Sequence, residues 1–266
     1  MQHYLSQSNT IVLAWDINPL KISSSMLAPR SQLFCREVDF GSEQSIREAV
    51  RGMKHELLSI GNNDRKLDLI IHSAGIRGLV PEVVQQQPEN VAAAETVQSM
   101  NNETMLRTYQ INTLGTFNLI QQLAKHDLYR PQAQSPQSSD KITDFLARRN
   151  LVGPQVQSSE RITKFVIMTS RMGSMSYNST GAGYAYRASK AALNAIIKSF
   201  SIDLPHICFA LVHPGRVETG LTVCREEGAI EVGESVGDML KLMDSPGLGE
   251  TGKVRYMDRF GKDIGW

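Results

Sequence analysis

The segment Tyr186-Arg-Ala-Ser-Lys190 sets a phenol and an ammonium four residues apart. On a helix this spacing puts both groups on one face, within a few ångströms of each other. A free phenol titrates near a pH of about 10 and is mostly protonated at neutrality. A neighbouring cation lowers that value and makes the tyrosinate accessible, which is what general acid/base work on an oxygen needs. Tyrosine and lysine four apart also occur on many ordinary helices, so the pair alone decides little. Tyr177 and Tyr184 are nearby phenols, but neither has a lysine four residues on.

The elements that must position such a pair are legible as alternating runs. Thr10–Trp15, Leu67–His72, Phe165–Thr169 and Cys208–His213 are short, apolar and rich in β-branched residues, and a more polar run, Leu33–Val38, leads into Asp39. Longer helix-compatible stretches separate them, an alternation that predicts an α/β fold with a parallel sheet covered by helices on both faces. Glu43–Ile60 is predicted as a helix, with Ser42 as N-cap and Ile46, Val50, Met53 and Leu57 at helical spacing. Thr104–His126 and Ala185–Leu204 are predicted as helices too.

Three further motifs keep the Tyr–Lys pair company. Phe165-Val-Ile-Met-Thr169 runs into Ser170-Arg-Met-Gly173, which places a hydroxyl at the carboxyl end of a strand, where ligands sit in open α/β sheets. Thr169 and Ser174 are rival hydroxyls; Ser170 is preferred because it directly follows the strand, whereas the Gly- and Ser-rich stretch Gly173–Gly183 reads as flexible. Asn112-Thr-Leu-Gly115 lies inside the long helix. Cys208–His213 runs into Pro214-Gly-Arg-Val-Glu-Thr219, a strand followed by a sharp turn. His72 and His213 end apolar runs and read as polar strand termini, and the histidines are too scattered for a metal site.

In this order the motifs resemble the short-chain dehydrogenase/reductase family, over roughly Thr10 to the carboxyl terminus. The resemblance implies a Rossmann-like doubly wound parallel sheet, three layers deep, in one domain over residues 1–266. It implies that Tyr186 donates the proton to a substrate carbonyl in reduction and acts as base in oxidation. Lys190 then holds the nicotinamide ribose and lowers the tyrosine's pKa, Ser170 hydrogen-bonds the substrate oxygen, and Asn112 holds a water that links Lys190 to solvent. Pro214, Gly215, Val217 and Thr219 match the turn beside the nicotinamide. The short segment from Gly220 to Gly233, the ending Thr251-Gly-Lys-Val254 and the terminal Gly261–Trp266 are similar to the carbonyl-reductase branch of C-factor- and sniffer-like enzymes. The expected reaction is reversible hydride transfer between a nicotinamide cofactor and a small-molecule carbonyl or secondary alcohol. The family's pairing of long helices implies a homo-oligomer.

The cofactor half departs from the family. Asp16 follows an apolar run, and an acidic residue at this strand end accepts hydrogen bonds from an adenosine ribose. The cofactor is therefore expected to be NAD(H) or NADP(H), with the carboxylate of Asp16 favouring NAD(H). The bland reading of Asp16-Ile-Asn-Pro19 is a turn. Asp39 matches the position that contacts adenine, and Ser73-Ala74-Gly75 stands where the family usually has Asn-Ala-Gly. The first glycine is Gly41, so the Gly-rich turn that normally opens such a site is missing. Thr10–Trp15 reads as the family's second strand and Tyr4–Asn9 as the tail of the preceding helix. The expectation is an N-terminally truncated version of an enzyme; a unit supplied by another segment or subunit, and a non-catalytic binding module of the same fold, are the rivals.

Length and composition narrow the partners. A chain of 266 residues with 41% apolar content can bury one sizeable core. A net charge of +1, from 28 basic and 27 acidic residues, offers no stripe for nucleic acid and no anchor for a membrane surface. Cys35, Cys208 and Cys224 fit neither a disulfide framework nor a metal cluster, and no apolar run reaches membrane length, so a reducing, cytoplasmic location is expected. Arg130–Asp140 is polar and Pro-containing, and with a short helix around Lys141–Asn150 it reads as an insertion at about 128–160, because the strand that follows must pair in the same sheet.

Overall fold

The computed structural model describes residues 1–18, 27–59, 66–130, 162–219, 221 and 228–266. The proposed insertion helix at Lys141–Asn150, nearly all of the polar loop before it, and Cys224 lie outside the described residues. A short helix α1 (Gln2–Leu5) leads into β1 (Ile11–Asp16), β2 (Gln32–Glu37), α2 (Glu43–Ser59) and β3 (Leu69–His72). Then come α3 (Pro81–Gln86), α4 (Asn102–Tyr109), a π-helical turn (Gln110–Leu114) and α5 (Gly115–Lys125). The chain finishes with β4 (Lys164–Met168), α6 (Tyr184–Asp203), β5 (Cys208–His213), α7 (Val232–Asp244) and β6 (Arg255–Asp258).

All strand pairs are parallel, as their apolar runs and intervening helices require. The ladders form two sheets, β1–β2 and β3–β4–β5–β6. Among the described residues no ladder joins β1 to β3. β4 pairs with β3 on one side and β5 on the other. β6 was not anticipated, since Tyr256 and Met257 are hemmed in by Arg255 and Asp258. The expected helix tail at Tyr4–Asn9 is mostly turn, because α1 closes at Leu5 and Asn9 takes a left-handed φ of 58°.

Alternation along the strands splits the core between two faces. Phe165 and Ile167 of β4, Phe209 and Leu211 of β5 and Tyr256 of β6 point to the side covered by α2, α5 and α6. Val166, Ala210, Val212 and Met257 point the other way, against Leu242 and Met243 of α7. Phe165 and Phe209 stack with centroids 5.8 Å apart and are fully buried, and truncating either to alanine would cost about 3–5 kcal/mol. α2 is capped as expected: the Ser45 N–H donates to Ser42 Oγ at 3.2 Å, and Ile46, Val50, Met53 and Leu57 bury one stripe. These layers leave the carboxyl ends of β3, β4 and β5 facing a common cavity.

Candidate active site

The sequence before α6 builds a sharp entry. Gly181, Ala182 and Gly183 take φ values of 65°, 51° and 62°, a left-handed run that glycine adopts without strain and alanine does not. Arg187 stitches this turn from within the helix: its Nε donates to the carbonyls of Gly181 and Ala182 at 3.2 and 3.0 Å. A chain so turned delivers Tyr186 in the first turn of α6, pointing inward and only 9% exposed. Tyr177 and Tyr184 remain exposed, at 58% and 42%, and neither lines the cavity. Of these three tyrosines, position selects the one with the lysine.

Ser170, Tyr186 and Lys190 come together. The Ser170 Oγ accepts from the Met172 N–H at 3.2 Å, capping the short 3-10 turn Arg171–Gly173, and the side chain lines the cavity with Tyr186. Lys190 Nζ lies 5.7 Å from the Tyr186 ring centroid and donates to the Met168 carbonyl at 3.0 Å. The Tyr256 hydroxyl donates to the Ser170 carbonyl at 2.5 Å, while Arg171 pairs with Asp258 at 3.0 Å, so β6 fixes the turn that carries Ser170. The rival hydroxyls are occupied elsewhere: Thr169 donates to Asn194 at 2.7 Å and Ser174 to the Gly265 carbonyl at 2.5 Å.

Asn112 sits in the π-helical turn and is fully buried. Its Oδ1 accepts from the Ile76 N–H at 2.7 Å, and its Nδ2 donates to the Ile76 carbonyl at 2.8 Å and to Ser189 Oγ at 3.0 Å. The side-chain amide is thus engaged by three protein partners. Gly75 passes beneath this clamp. A Cβ there would lie 3.0 Å from Asn112 Oδ1 and 3.6 Å from Lys190 Nζ, so only glycine gives the backbone this approach.

A cavity of about 860 Å³ takes in Ser73, Gly75, Ser170, Tyr186 and Lys190, and also Pro214, Gly215, Val217 and Thr219. The last four follow β5 in a turn held by the Val217–Ile230 bridge; Gly215 has φ of 97°, and a Cβ on it would lie 2.5 Å from Arg259 Nη1. Ala74, Asn112, Asp16 and Asp39 do not line this cavity. Asp16 Oδ1 accepts from the Asn18 N–H at 2.9 Å, and Asp39 Oδ1 from the Gly41 N–H at 2.7 Å. Both carboxylates therefore form turns of the kind the bland reading offered for Asp16. Arg77, Glu95, Tyr256 and the crowded Gly78 were missed; the Gly75-Ile-Arg-Gly78 turn after a strand was a usable signal for the first and last, and nothing local marks the others.

Burial governs the titrations. It pushes Tyr186 up to about 12, with the Ser170 hydrogen bond and the Arg77 charge pulling the other way. The sequence expectation of a lowered phenol is thereby reversed, because helical spacing brings a cation but says nothing of lost water. Burial also brings Lys190 down to about 8. His72, held at 2.9 Å from Thr116 Oγ1, is brought down to about 3 by burial and by Lys190, and His213 to about 4 by burial and then Arg171. Both histidines are neutral at physiological pH. Among the described residues no group of His, Cys, Asp or Glu could hold a metal ion, and no helix is long and apolar enough to cross a membrane.

An open parallel α/β sheet, with a tyrosine, a lysine and a serine converging at strand carboxyl ends, defines a Rossmann-like class. No family model matches the chain. It is 40% identical over 101 residues to C-signal of Myxococcus xanthus, a stretch covering 37% of this chain and 58% of that protein. It is 25% identical over 280 residues to the short chain dehydrogenase gsfK of Penicillium aethiopicum, covering 99% of this chain and 92% of that protein. The carbonyl reductase Sniffer of D. melanogaster has the same fold at TM-score 0.61 and 24% identity, over 88% of this chain and 78% of that one. The NADPH-bound carbonyl reductase from chicken fatty liver gives TM-score 0.61 and 23% identity, over 88% and 77%. In fold and in these relatives the chain is similar to short chain dehydrogenases and carbonyl reductases. The alignment with C-signal spans less than two thirds of that relative.

Proposed function

We propose that the chain is an oxidoreductase that interconverts a small carbonyl compound and the corresponding secondary alcohol. The observation that carries this reading is the convergence of Ser170, Tyr186 and Lys190 on one cavity, with the Lys190 ammonium 5.7 Å from the Tyr186 ring centroid. A nicotinamide cofactor, when bound, supplies or accepts the hydride. The residues fit its ribose and nicotinamide end: Gly75 leaves a gap that a Cβ would fill, Lys190 offers a buried ammonium beside it, and Pro214–Thr219 form the opposite wall. Among the described residues no Gly-rich turn opening a long helix lines the cavity, so a pyrophosphate has no counterpart to those fittings.

Ser170 orients the substrate oxygen toward the Tyr186 hydroxyl. Tyr186 gives its proton to that oxygen in reduction and takes it back in oxidation. A phenol pushed up to about 12 is an acid that stays loaded across neutral pH. The ammonium of Lys190, 5.7 Å from the ring centroid, favours the tyrosinate that forms when the proton leaves. The apolar wall of Met168, Met239, Leu240 and Met243 excludes water and suits an uncharged substrate. NAD(H) is the finer choice of cofactor if Asp16 turns its second carboxylate oxygen to a ribose; a single domain, a cytoplasmic site of action and a homo-oligomer complete the reading.

Tyr186→Phe tests it. Turnover falls by about three orders of magnitude or more, on the scale of losing a general acid, while the thermal midpoint and the quenching of NADH or NADPH fluorescence on binding hold. Unchanged turnover in that variant would remove Tyr186 from the mechanism.

A further inference from the structure

Arg77 and Glu95 form a buried pair on the wall of the same cavity. Arg77 Nη2 and Nε donate to the two Glu95 carboxylate oxygens at 2.9 and 3.2 Å, and the side chains are only 15% and 10% exposed. A bidentate pair of this kind fixes a guanidinium in one orientation. The site residues already described do not use it.

Contacts on both sides of the pair lead to Tyr186. Upstream, Asn112 clamps Ile76, the residue before Arg77. Downstream, Gly78 takes φ of 74°, and a Cβ on it would lie 2.9 Å from the Cβ of Ala185, the residue before Tyr186. Glu95 holds the entry to α6 as well, since its carbonyl accepts from the Gly183 N–H at 2.9 Å. Arg77 lines the cavity beside Tyr186 and Ser170.

We propose that Arg77, fixed by Glu95, is a positioning residue for Tyr186, its guanidinium setting how readily the phenol parts with its proton. The proposal rests on the reading of Tyr186 as the acid and base. Ser170 from the turn after β4, Lys190 from α6 itself and Arg77 from the turn after β3 line the cavity with this phenol, and Tyr256 of β6 holds the Ser170 carbonyl. Lys190 lies over the ring face and donates to the Met168 carbonyl, and the Arg77 charge also favours the tyrosinate. Glu95 stands behind it and tempers that charge. The pair therefore gives the phenol a graded field: one partner makes it a stronger acid and the other a weaker one.

The test is direct titration of the phenol in the full chain, without turnover. 3,5-Difluorotyrosine at position 186, whose phenol titrates in an accessible range, is followed by fluorine NMR with pH. Arg77→Met raises the midpoint by about one pH unit or more, Arg77→Lys recovers at least half of that change, and Glu95→Gln does not raise it. A pair that only braced the fold would shift the midpoint the same way whichever partner was removed. The proposal is overturned if Arg77→Met leaves the midpoint in place or if Glu95→Gln raises it. Should Arg77→Met fail to fold, as circular dichroism would report, Glu95→Gln decides alone: a midpoint at or below the parent's sustains the proposal. The loss of turnover in Tyr186→Phe is a separate readout, so the acid assignment and the Arg77 assignment can fail independently.

Discussion

The side-chain amide of Asn112 holds Ile76 by both of its backbone groups, accepting from its N–H at 2.7 Å and donating to its carbonyl at 2.8 Å. A side chain that mimics a neighbouring strand in this way fixes the path of the chain leaving β3. It places Gly75 under Lys190 and Arg77 beside Tyr186.

Asn112→Ala leaves the Ile76 N–H and carbonyl without their partner in a buried setting. The expected loss is about 2 kcal/mol or more, read as a lower midpoint in chemical denaturation. Turnover measured well below the melting temperature falls too, since the strand-end turn loosens. An unchanged denaturation midpoint would show that Ile76 finds other partners.

Ser170→Ala and Ser174→Ala separate the two hydroxyls. Ser170→Ala removes the partner of Tyr186 and is expected to cut kcat/KM by about two orders of magnitude, as losing one oxyanion donor does, with little change in melting temperature. Ser174→Ala frees the Gly265 carbonyl and costs about 1 kcal/mol of stability, with kcat/KM retained. The opposite pattern would exchange their roles.

Lys190→Met shows what the buried ammonium costs the fold. The folded pKa of about 8 lies below the ordinary lysine value of 10.5, so in that window the unfolded chain holds a proton that the folded one has released. Stability therefore rises with pH from about 8 to 10.5 on account of this group, and the penalty is fully present below about 8. At pH 7 the substitution removes a penalty of about 3 kcal/mol at most, offset by about 1 kcal/mol for the Met168 carbonyl left without its donor. The variant is expected to melt above the parent at pH 7, to lose that advantage above pH 10, and to be inactive. A variant less stable than the parent at pH 7 would mean that the ammonium is well paired where it sits.

Leu106 and Ile202 are 69% and 63% exposed, on α4 and α6, and Met105 and Tyr109 add to the α4 surface. Covering these helices with a second copy accounts for them. Light scattering on a sizing column is expected to give a multiple of the chain mass, and Leu106→Lys to return the monomer. A parent that elutes as a monomer at micromolar concentration would end this reading.

The chemistry of the site was more legible in the sequence than its environment. Tyr186, Lys190 and Ser170 announce themselves because helical spacing and the end of a strand are local properties. Arg77 and Glu95 are 18 positions apart, and nothing in either neighbourhood says they meet. The sign of the Tyr186 shift was misjudged for a related reason, since burial is a property of the assembled layers. The parallel α/β pattern could be read from run lengths. Strand β6 escaped because Arg255 and Asp258 flank a run of only two apolar residues.

The π-helical turn at Gln110–Leu114 has an evolutionary consequence. A helix advances by about 100° per residue, so the wider turn offsets the phase of α4 from that of α5. Deleting one residue there would regularise the helix, yet it would swing Thr104 and Thr108, which line the cavity, through about that angle. A deletion that tidies the backbone would therefore dismantle the wall, and descendants of this chain should keep the extra residue even where the amino acids around it drift.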